Sequence, residues 1–451
     1  MKPKAKIIAT IGPATNNEKA IKRLINGGVN VFRLNFSYGT YEEHAKTIDI
    51  IRKHTKNNDV AIMQDICGPK VRITNLENEI LVSKNDTIKI SKNPSKDALN
   101  INYPEIISQI NLKDIIYFAD GSVKADVIKK ENEDVVLKVL SGGILKNGKG
   151  VDFPSDNINL PTITEKDIKD LAFGAKYDVD LVAVSFVKDK EDILNAKNIL
   201  RKNSSDAWVI AKIERRSALD NLDEIIDASN GVMVARGDLG VDIGLSKVPI
   251  IKMKIIHKAN EKGIPVIVAT QMLTSMISSP YPTRAEVSDI ANAVLYGADA
   301  VMLSDETAIG HYYEEAVNVL KSTILETQKI YPYYKDYHTK ENEIIAHCAS
   351  RISQNIHSNY IVSVTATGFT AKQISKFRPK KPIIAIIFSE KIGRRLSLVW
   401  GIEKNYKIEK TDDENKLIEF ISNIKEKTPF VLTMGSIIGK QGATNMVRIF
   451  Y

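Results

Sequence analysis

Eight short runs rich in β-branched residues recur between residues 6 and 303, each separated from the next by a stretch of helical periodicity. They fall at 6–10, 30–34, 60–64, 181–185, 208–213, 231–235, 266–270 and 300–303. Between 164 and 177, Ile168, Leu171, Ala172 and Ala175 repeat at helical spacing, and Thr164 with Asp167 reads as a capping box. Ser246 is expected to cap a helix that runs to Glu261, with Gly263 as its stop signal. Eight strands alternating with helices predict an α/β fold, a (β/α)8 TIM barrel, whose site lies where the strands end.

The rhythm breaks once. From Pro69 to Asn157 residues alternate with period two, as at 87–90, 115–118 and 135–139. Asp120-Gly121, Gly142-Gly143 and Asn147-Gly148 read as turns between them. This predicts a small β-barrel domain inserted after the third barrel strand, placed to act as a lid. After Glu341, runs at 360–365, 383–387 and 430–434 alternate with helices and predict a further α/β domain. The expected division is 1–68 with 158–340 for the barrel, 69–157 for the lid and 341–451 for the C-terminal unit.

A chain of 451 residues is too long for one core, which agrees with several domains. No apolar run approaches the roughly 20 residues of a membrane helix. The start of the chain has no signal-peptide pattern, and Cys67 and Cys348 form neither a disulfide framework nor a metal-ligand spacing. A cytoplasmic protein is expected. The net charge of +8 is modest and spread along the chain. With no nucleic-acid motif or basic-aromatic stripe beside it, neither nucleic acid nor membrane is expected as a partner.

Polar residues gather where the barrel strands end. The second is followed by Arg33-Leu34-Asn35-Phe36-Ser37 and the third by Asp65-Ile66-Cys67-Gly68-Pro69-Lys70-Val71-Arg72. The fifth carries Lys212-Ile213-Glu214, the sixth ends in Arg236-Gly237-Asp238, the seventh in Thr270-Gln271-Met272 and the eighth in Ser304-Asp305-Glu306-Thr307. Lys212 and Glu214 are two apart on a strand, so they point the same way. They read either as a structural ion pair in the barrel mouth or as part of a site. In the second reading Asp238 adds a carboxylate, and two carboxylates with open positions suit Mg²⁺. A lysine beside such an ion neutralises charge on a transferring phosphoryl group, and Arg33 adds a forked phosphate ligand.

Several segments resemble the signature segments of the pyruvate kinase family, in the family's order. They are Phe32-Arg33-Leu34-Asn35-Phe36-Ser37, Ala211-Lys212-Ile213-Glu214, Met233-Val234-Ala235-Arg236-Gly237-Asp238-Leu239-Gly240 and Ala269-Thr270-Gln271-Met272-Leu273. Pro282-Thr283-Arg284-Ala285-Glu286-Val287-Ser288-Asp289 and Met302-Leu303-Ser304 follow the same pattern. The resemblance implies transfer of the phosphoryl group of phosphoenolpyruvate to ADP, giving pyruvate and ATP. It implies Lys212 and Arg33 on that group, and Glu214 and Asp238 as ligands of Mg²⁺ or Mn²⁺. Gly237 would offer its amide to the substrate carboxylate, Thr270 would lie beside the face where the enolate is protonated, and Ser304 would lie in that proton path. Asn35, Arg72 and Lys166 match nucleotide contacts. A glycolytic, allosteric homotetramer is implied as well, with the helix holding Arg284, Glu286 and Asp289 near one interface.

The chain also departs from that pattern. Many family members bind a monovalent cation at the positions of Asn35, Ser37, Asp65 and Ile66, and those that need K⁺ have a glutamate after Gly-Pro. Here Lys70 stands there, and its ammonium is expected beside Asp65, so activity without K⁺ is expected. Tyr38 replaces a common histidine near the nucleotide, and Asp305 a common glycine. In the C-terminal unit, Thr365-Ala366-Thr367-Gly368-Phe369-Thr370 opens a helix and resembles the family's effector loop. With Ala366 and Phe369 in it, and a last loop lacking tryptophan and arginine, no response to fructose 1,6-bisphosphate is expected. Either another phosphorylated effector uses Thr365, Thr367, Thr370 and Lys440, or the loop is inert packing. Three other readings of the whole chain stand beside this one: a metal-dependent aldolase or lyase, a non-catalytic metabolite sensor, and a basic nucleic-acid binder.

Overall fold

The computed structural model describes residues 2–451 except 56–59, 96, 120, 132, 154–157, 159, 411–412, 425–427, 436–437, 439–441 and 443. Eight parallel strands close into a barrel: Lys6–Ile11, Val31–Asn35, Ala61–Ile66, Leu181–Val184, Trp208–Ile213, Gly231–Ala235, Val266–Ala269 and Ala300–Leu303. The first strand pairs with the second on one side and with the eighth on the other, in the register Lys6–Ala300 to Ala9–Leu303. Side chains alternate along each strand. Ile7, Phe32, Ile62, Val182 and Val209 pack outward under the helices, while Ile8, Val31, Met63, Ala183, Ile210, Met233, Ile267 and Met302 fill the barrel. Continuing the inward set by two residues lands on Thr10, Arg33, Asp65, Ser185, Lys212 and Ser304. Strand parity therefore builds a polar layer at the mouth, directly above an apolar interior.

The helix Glu165–Lys176 starts with the expected capping box of Thr164 and Asp167. Ser246 does not cap the next expected helix. Leu245–Lys247 forms a 3-10 turn, and the helix Val248–Glu261 starts with a proline in its first turn. Proline has no amide hydrogen to satisfy and brings a helical φ, so a side-chain cap is not needed there.

The insert is mainly β, with one 3-10 helix at Pro104–Gln109. Ile115–Phe118, Val123–Glu131 and Asp134–Ser141 form an antiparallel sheet with Thr87–Ser91 and Val151–Asp152 at its edges. Ile73–Thr74 pairs with Asn100–Ile101, and single bridges from Ile90 to Leu99 and from Arg72 to Gly150 complete the circuit. Of the expected turns, Asp120 lies outside the described residues. Gly142 is a close approach rather than a turn tip, since a Cβ there would sit 2.3 Å from the Val82 carbonyl oxygen.

The C-terminal unit holds five strands in the order Ile402–Lys407, Ile383–Ile387, Ile361–Val364, Phe430–Gly435, Thr444–Phe450. The first and last of these are absent from the sequence reading. Both are edge strands, and their polar residues mask the alternation. This unit docks where the barrel strands begin. Arg378, 2% exposed, donates to both Asp299 carboxylate oxygens at 2.9 and 3.0 Å, to Asn260 and to the Gly297 carbonyl. Asp299 directly precedes the eighth strand. Arg378→Met is expected to cost about 3–5 kcal/mol, because the buried Asp299 carboxylate keeps the Val266 and Trp400 amides but loses its guanidinium counter-charge. The loss would appear as a lowered urea midpoint, and a midpoint shift equivalent to under about 1 kcal/mol would refute it.

Candidate active site

The polar layer at the mouth is a connected network. Lys212 Nζ lies 2.6 Å from Ser185 Oγ, 3.0 Å from Glu214 Oε1 and 3.2 Å from Asp65 Oδ1. The other Asp65 oxygen accepts from Arg33 Nε at 2.7 Å, and Arg33 Nη1 donates to Thr10 Oγ1 at 3.1 Å. Glu214 Oε2 accepts the Phe186 amide at 2.8 Å, with Phe186 in the left-handed region at φ 57°. One lysine and one arginine thus stand among buried acids beneath the lid.

Burial and charge pull against each other here. Burial pushes the Asp65 carboxyl up, but Lys212 and Arg33 outweigh it and hold Asp65 below the usual range. Burial alone would lower Lys212, yet Asp65 and Glu214 keep it above its ordinary value, so it stays an ammonium. Glu214 is raised, first by burial and then by the neighbouring charge of Asp238, against the pull of Lys212. Asp238 is held low by Lys70, against its own burial. The two carboxylates sense one another, and each has a lysine beside it: Lys212 for Glu214, and Lys70, at 2.9 Å, for Asp238.

Above this network a cleft of about 470 Å³ separates the base of the lid from the barrel, lined by Lys70, Phe186, Glu214, Arg215 and Asp238 among others. On the far side, the Gly237 amide donates to Thr270 Oγ1 at 3.1 Å, and both Thr270 and Gln271 have positive φ, 67° and 52°. Among the described residues no group of three or more His, Cys, Asp or Glu side chains is placed to hold a metal unaided. Two neighbouring carboxylates at the cleft fit an oxygen-seeking ion that completes its shell with water and substrate.

Known proteins match this chain over nearly its whole length. A family model described as the pyruvate kinase barrel domain matches residues 2–317, and one described as the pyruvate kinase alpha/beta domain matches residues 343–450. A pyruvate kinase of Geobacillus stearothermophilus is 39% identical over 471 aligned residues, covering 100% of this chain and 80% of the relative. One of Staphylococcus epidermidis is 38% identical over 467, covering 99% and 80%. Among solved structures, a pyruvate kinase from Cryptosporidium parvum matches with a TM-score of 0.92 at 32% identity, over 99% of this chain and 96% of that one. The chain belongs to the pyruvate kinase family.

As a pyruvate kinase family member it is a phosphotransferase, and the aldolase or lyase, sensor and nucleic-acid readings give way to that. Its mouth gathers Arg33, Asp65, Lys212 and Glu214 into one network, with Asp238 beside Glu214 and the Gly237–Thr270 contact next to it. The nucleotide-matching residues lie toward the second strand. Asn35 Oδ1 accepts the Ser37 amide at 3.1 Å, and Lys166 reaches the Phe36 carbonyl at 2.7 Å and Asp170 at 2.6 Å. Arg72 sits over the Tyr38 ring at 6.0 Å. Ser304 Oγ is buried with no hydrogen-bond partner among the described residues, while its amide donates to Glu306 Oε2 at 2.7 Å.

One expectation is corrected. Lys70 pairs with Asp238 and not with Asp65, because Arg33 and Lys212 already occupy both Asp65 oxygens. Asn35 and Asp65 are register partners on adjacent strands, and Ile66 offers its carbonyl to Ser185 Oγ at 2.7 Å. Two network members escaped the sequence reading, Thr10 and Ser185. They lie at the C-terminal ends of the first and fourth strands, Thr10 one residue before the end and Ser185 one after it. The parity that places Arg33 and Lys212 places these two as well.

Proposed function

We propose that this chain converts phosphoenolpyruvate and ADP to pyruvate and ATP as a cytoplasmic glycolytic enzyme, with the chemistry at Lys212, Arg33, Glu214, Asp238 and Thr270. The observation that carries this is the Lys212 ammonium, fixed by three partners at the mouth beneath the lid. An ammonium held there needs no reorganisation to stabilise a phosphoryl group in flight. Arg33, oriented by Asp65 and Thr10, binds the same phosphate from the second strand. Glu214 and Asp238 would hold Mg²⁺ or Mn²⁺, which supplies charge neutralisation for the transferring group. The Gly237 amide would orient the substrate carboxylate. Thr270 and Ser304 line the face where the enolate gains its proton. Asn35, Arg72 and Lys166 would position the nucleotide.

Activity is proposed to be independent of K⁺. Asp65, the acid among the four positions for a monovalent ion, already faces Arg33 and Lys212, and Lys70 adds a fixed cation at the hinge of the lid. Turnover in tetramethylammonium buffer is expected to change less than about twofold on adding K⁺, and Lys70→Glu is expected to gain a K⁺ response of about tenfold or more. A many-fold K⁺ activation of the unaltered enzyme would defeat the idea.

In the C-terminal unit a cleft of about 330 Å³ is lined by Thr365, Thr367, Thr370, Gln373 and Thr444 among others, with no basic side chain among its described lining residues. Gly368 has φ 82° and donates its amide to Thr365 Oγ1 at 3.0 Å, opening the helix Phe369–Lys376. Lys440 lies outside the described residues. Hydroxyls and helix amides without a lysine or arginine suit a single phosphate better than two. A sugar or nucleoside monophosphate is therefore proposed as effector, with no activation by fructose 1,6-bisphosphate. A monophosphate at millimolar concentration should raise the melting midpoint by about 2–4 °C through mass action. A panel of phosphometabolites that moved nothing would leave the loop as inert packing.

A homotetramer is proposed by family likeness. On the helix Arg284–Tyr296, Glu286 and Asp289 turn inward to Ser275 and Arg236, leaving Arg284 exposed to face another copy. Light scattering on the purified protein tests this. No helix among the described residues is long and apolar enough to cross a membrane.

A further inference from the structure

We infer that Arg236 is a positioning residue for the proton-transfer half of the reaction. Its guanidinium holds the backbone at Thr270 and Gln271 in the conformation that sets the direction of the Thr270 hydroxyl. This rests on the reading of Thr270 as the neighbour of the enolate face.

Arg236 follows the sixth strand, opens the helix Arg236–Ile243 and is 9% exposed. Its Nε donates to the Ala269 carbonyl at 3.2 Å. One terminal nitrogen donates to the Thr270 carbonyl and lies against the Met272 sulfur, and the other pairs with Asp289. One planar fork thus spans the whole turn that ends the seventh strand. That turn needs holding. Thr270 and Gln271 are consecutive non-glycine residues at positive φ, and for a β-branched residue this region is a true outlier. Such strain persists only where the surroundings over-determine it.

The far end of the turn is fixed independently, since the Leu273 amide donates to Glu306 Oε1 at 2.9 Å. Asp289 is fixed too, by Lys252 from the helix Val248–Glu261, and Lys252 is 4% exposed. The clamp is therefore anchored on two barrel helices, with the guanidinium joining them to the turn. A lysine in its place supplies charge for Asp289 but no rigid fork for two carbonyls and a carboxylate together.

The test separates the two halves of the reaction. ATP formation from phosphoenolpyruvate and ADP reads phosphoryl transfer. Deuterium wash-in to the pyruvate methyl group, followed by NMR with Mg²⁺ and ATP present, reads proton transfer. Arg236→Lys keeps a buried cation opposite Asp289. It is expected to lower methyl exchange about tenfold or more while ATP formation and the KM for phosphoenolpyruvate change less than about threefold. Should Arg236→Lys not fold, Asp289→Asn, which releases one end of the fork, is expected to show the same split at about threefold or more. Equal loss of exchange and ATP formation, or no loss of either, overturns the inference. Thr270→Ala in the same two assays keeps the causes apart. If it loses exchange and Arg236→Lys does not, the positioning role alone fails. If it keeps exchange, the reading of Thr270 fails and the inference with it.

Discussion

Lys212→Met is expected to lower turnover about a thousandfold or more while the protein remains folded, because it deletes the fixed charge proposed to face the transferring group. The variant should tolerate the change. Asp65 keeps Arg33 at 2.7 Å, and Glu214 keeps the Phe186 amide at 2.8 Å, so neither acid loses every partner. Methionine matches the lysine stem in length and lies over the apolar interior of the barrel. Pyruvate formation, read at saturating phosphoenolpyruvate, ADP and Mg²⁺, is the measurement, with circular dichroism as the folding control. A variant within about tenfold of the unaltered enzyme would mean that Lys212 serves the network and not the chemistry.

The second large effect is expected at Asp238. Asp238→Asn removes one of the two carboxylates facing the cleft and leaves Lys70 without the acid 2.9 Å from its ammonium. Affinity for Mn²⁺ should fall about a hundredfold or more, since even the outer partners of metal ligands are worth 10–100-fold. Paramagnetic titration of the protein with Mn²⁺ measures this directly, apart from turnover. The role would be abandoned if Mn²⁺ bound with unchanged affinity while activity was lost. Lys70→Met offers a contrast in the same titration. It removes a competing cation from Asp238, and Mn²⁺ affinity should rise about threefold or more as the local repulsion falls.

Most of the site was legible in the sequence because strand parity is a two-residue rule. Lys212 and Glu214 share a face whatever the rest of the chain does, and Arg33 follows Val31 into the barrel by the same rule. What parity does not carry is partner choice. Lys70 lies on the segment that leaves the third strand for the lid, where no strand geometry fixes its direction, and Asp238 is 168 residues away. Only the closed barrel brings them together. The clamp by Arg236 was hidden for a related reason. Nothing local to Arg236-Gly237-Asp238 shows that the arginine turns inward to carbonyls of the next strand. Ser246 is a capping residue by type, but the proline at position 249 starts the helix without a side-chain cap. The missed edge strands at Ile402–Lys407 and Thr444–Phe450 lacked the apolar alternation that marked the central ones.

Barrel closure has a consequence in time. The first strand gains one neighbour once residue 35 has been made, but its other neighbour is Ala300–Leu303. At about 5–20 residues per second, the ribosome delivers that partner roughly 15–60 s after the first strand emerges. Until then the first strand keeps an open edge, and the apolar residues that will line the barrel stay accessible to other nascent chains. Gly401, whose amide donates to the Lys4 carbonyl at 2.9 Å, arrives later still to bind the C-terminal unit to the start of the chain. The pace of translation therefore sets the earliest moment at which the mouth of the barrel, and with it the site, is assembled.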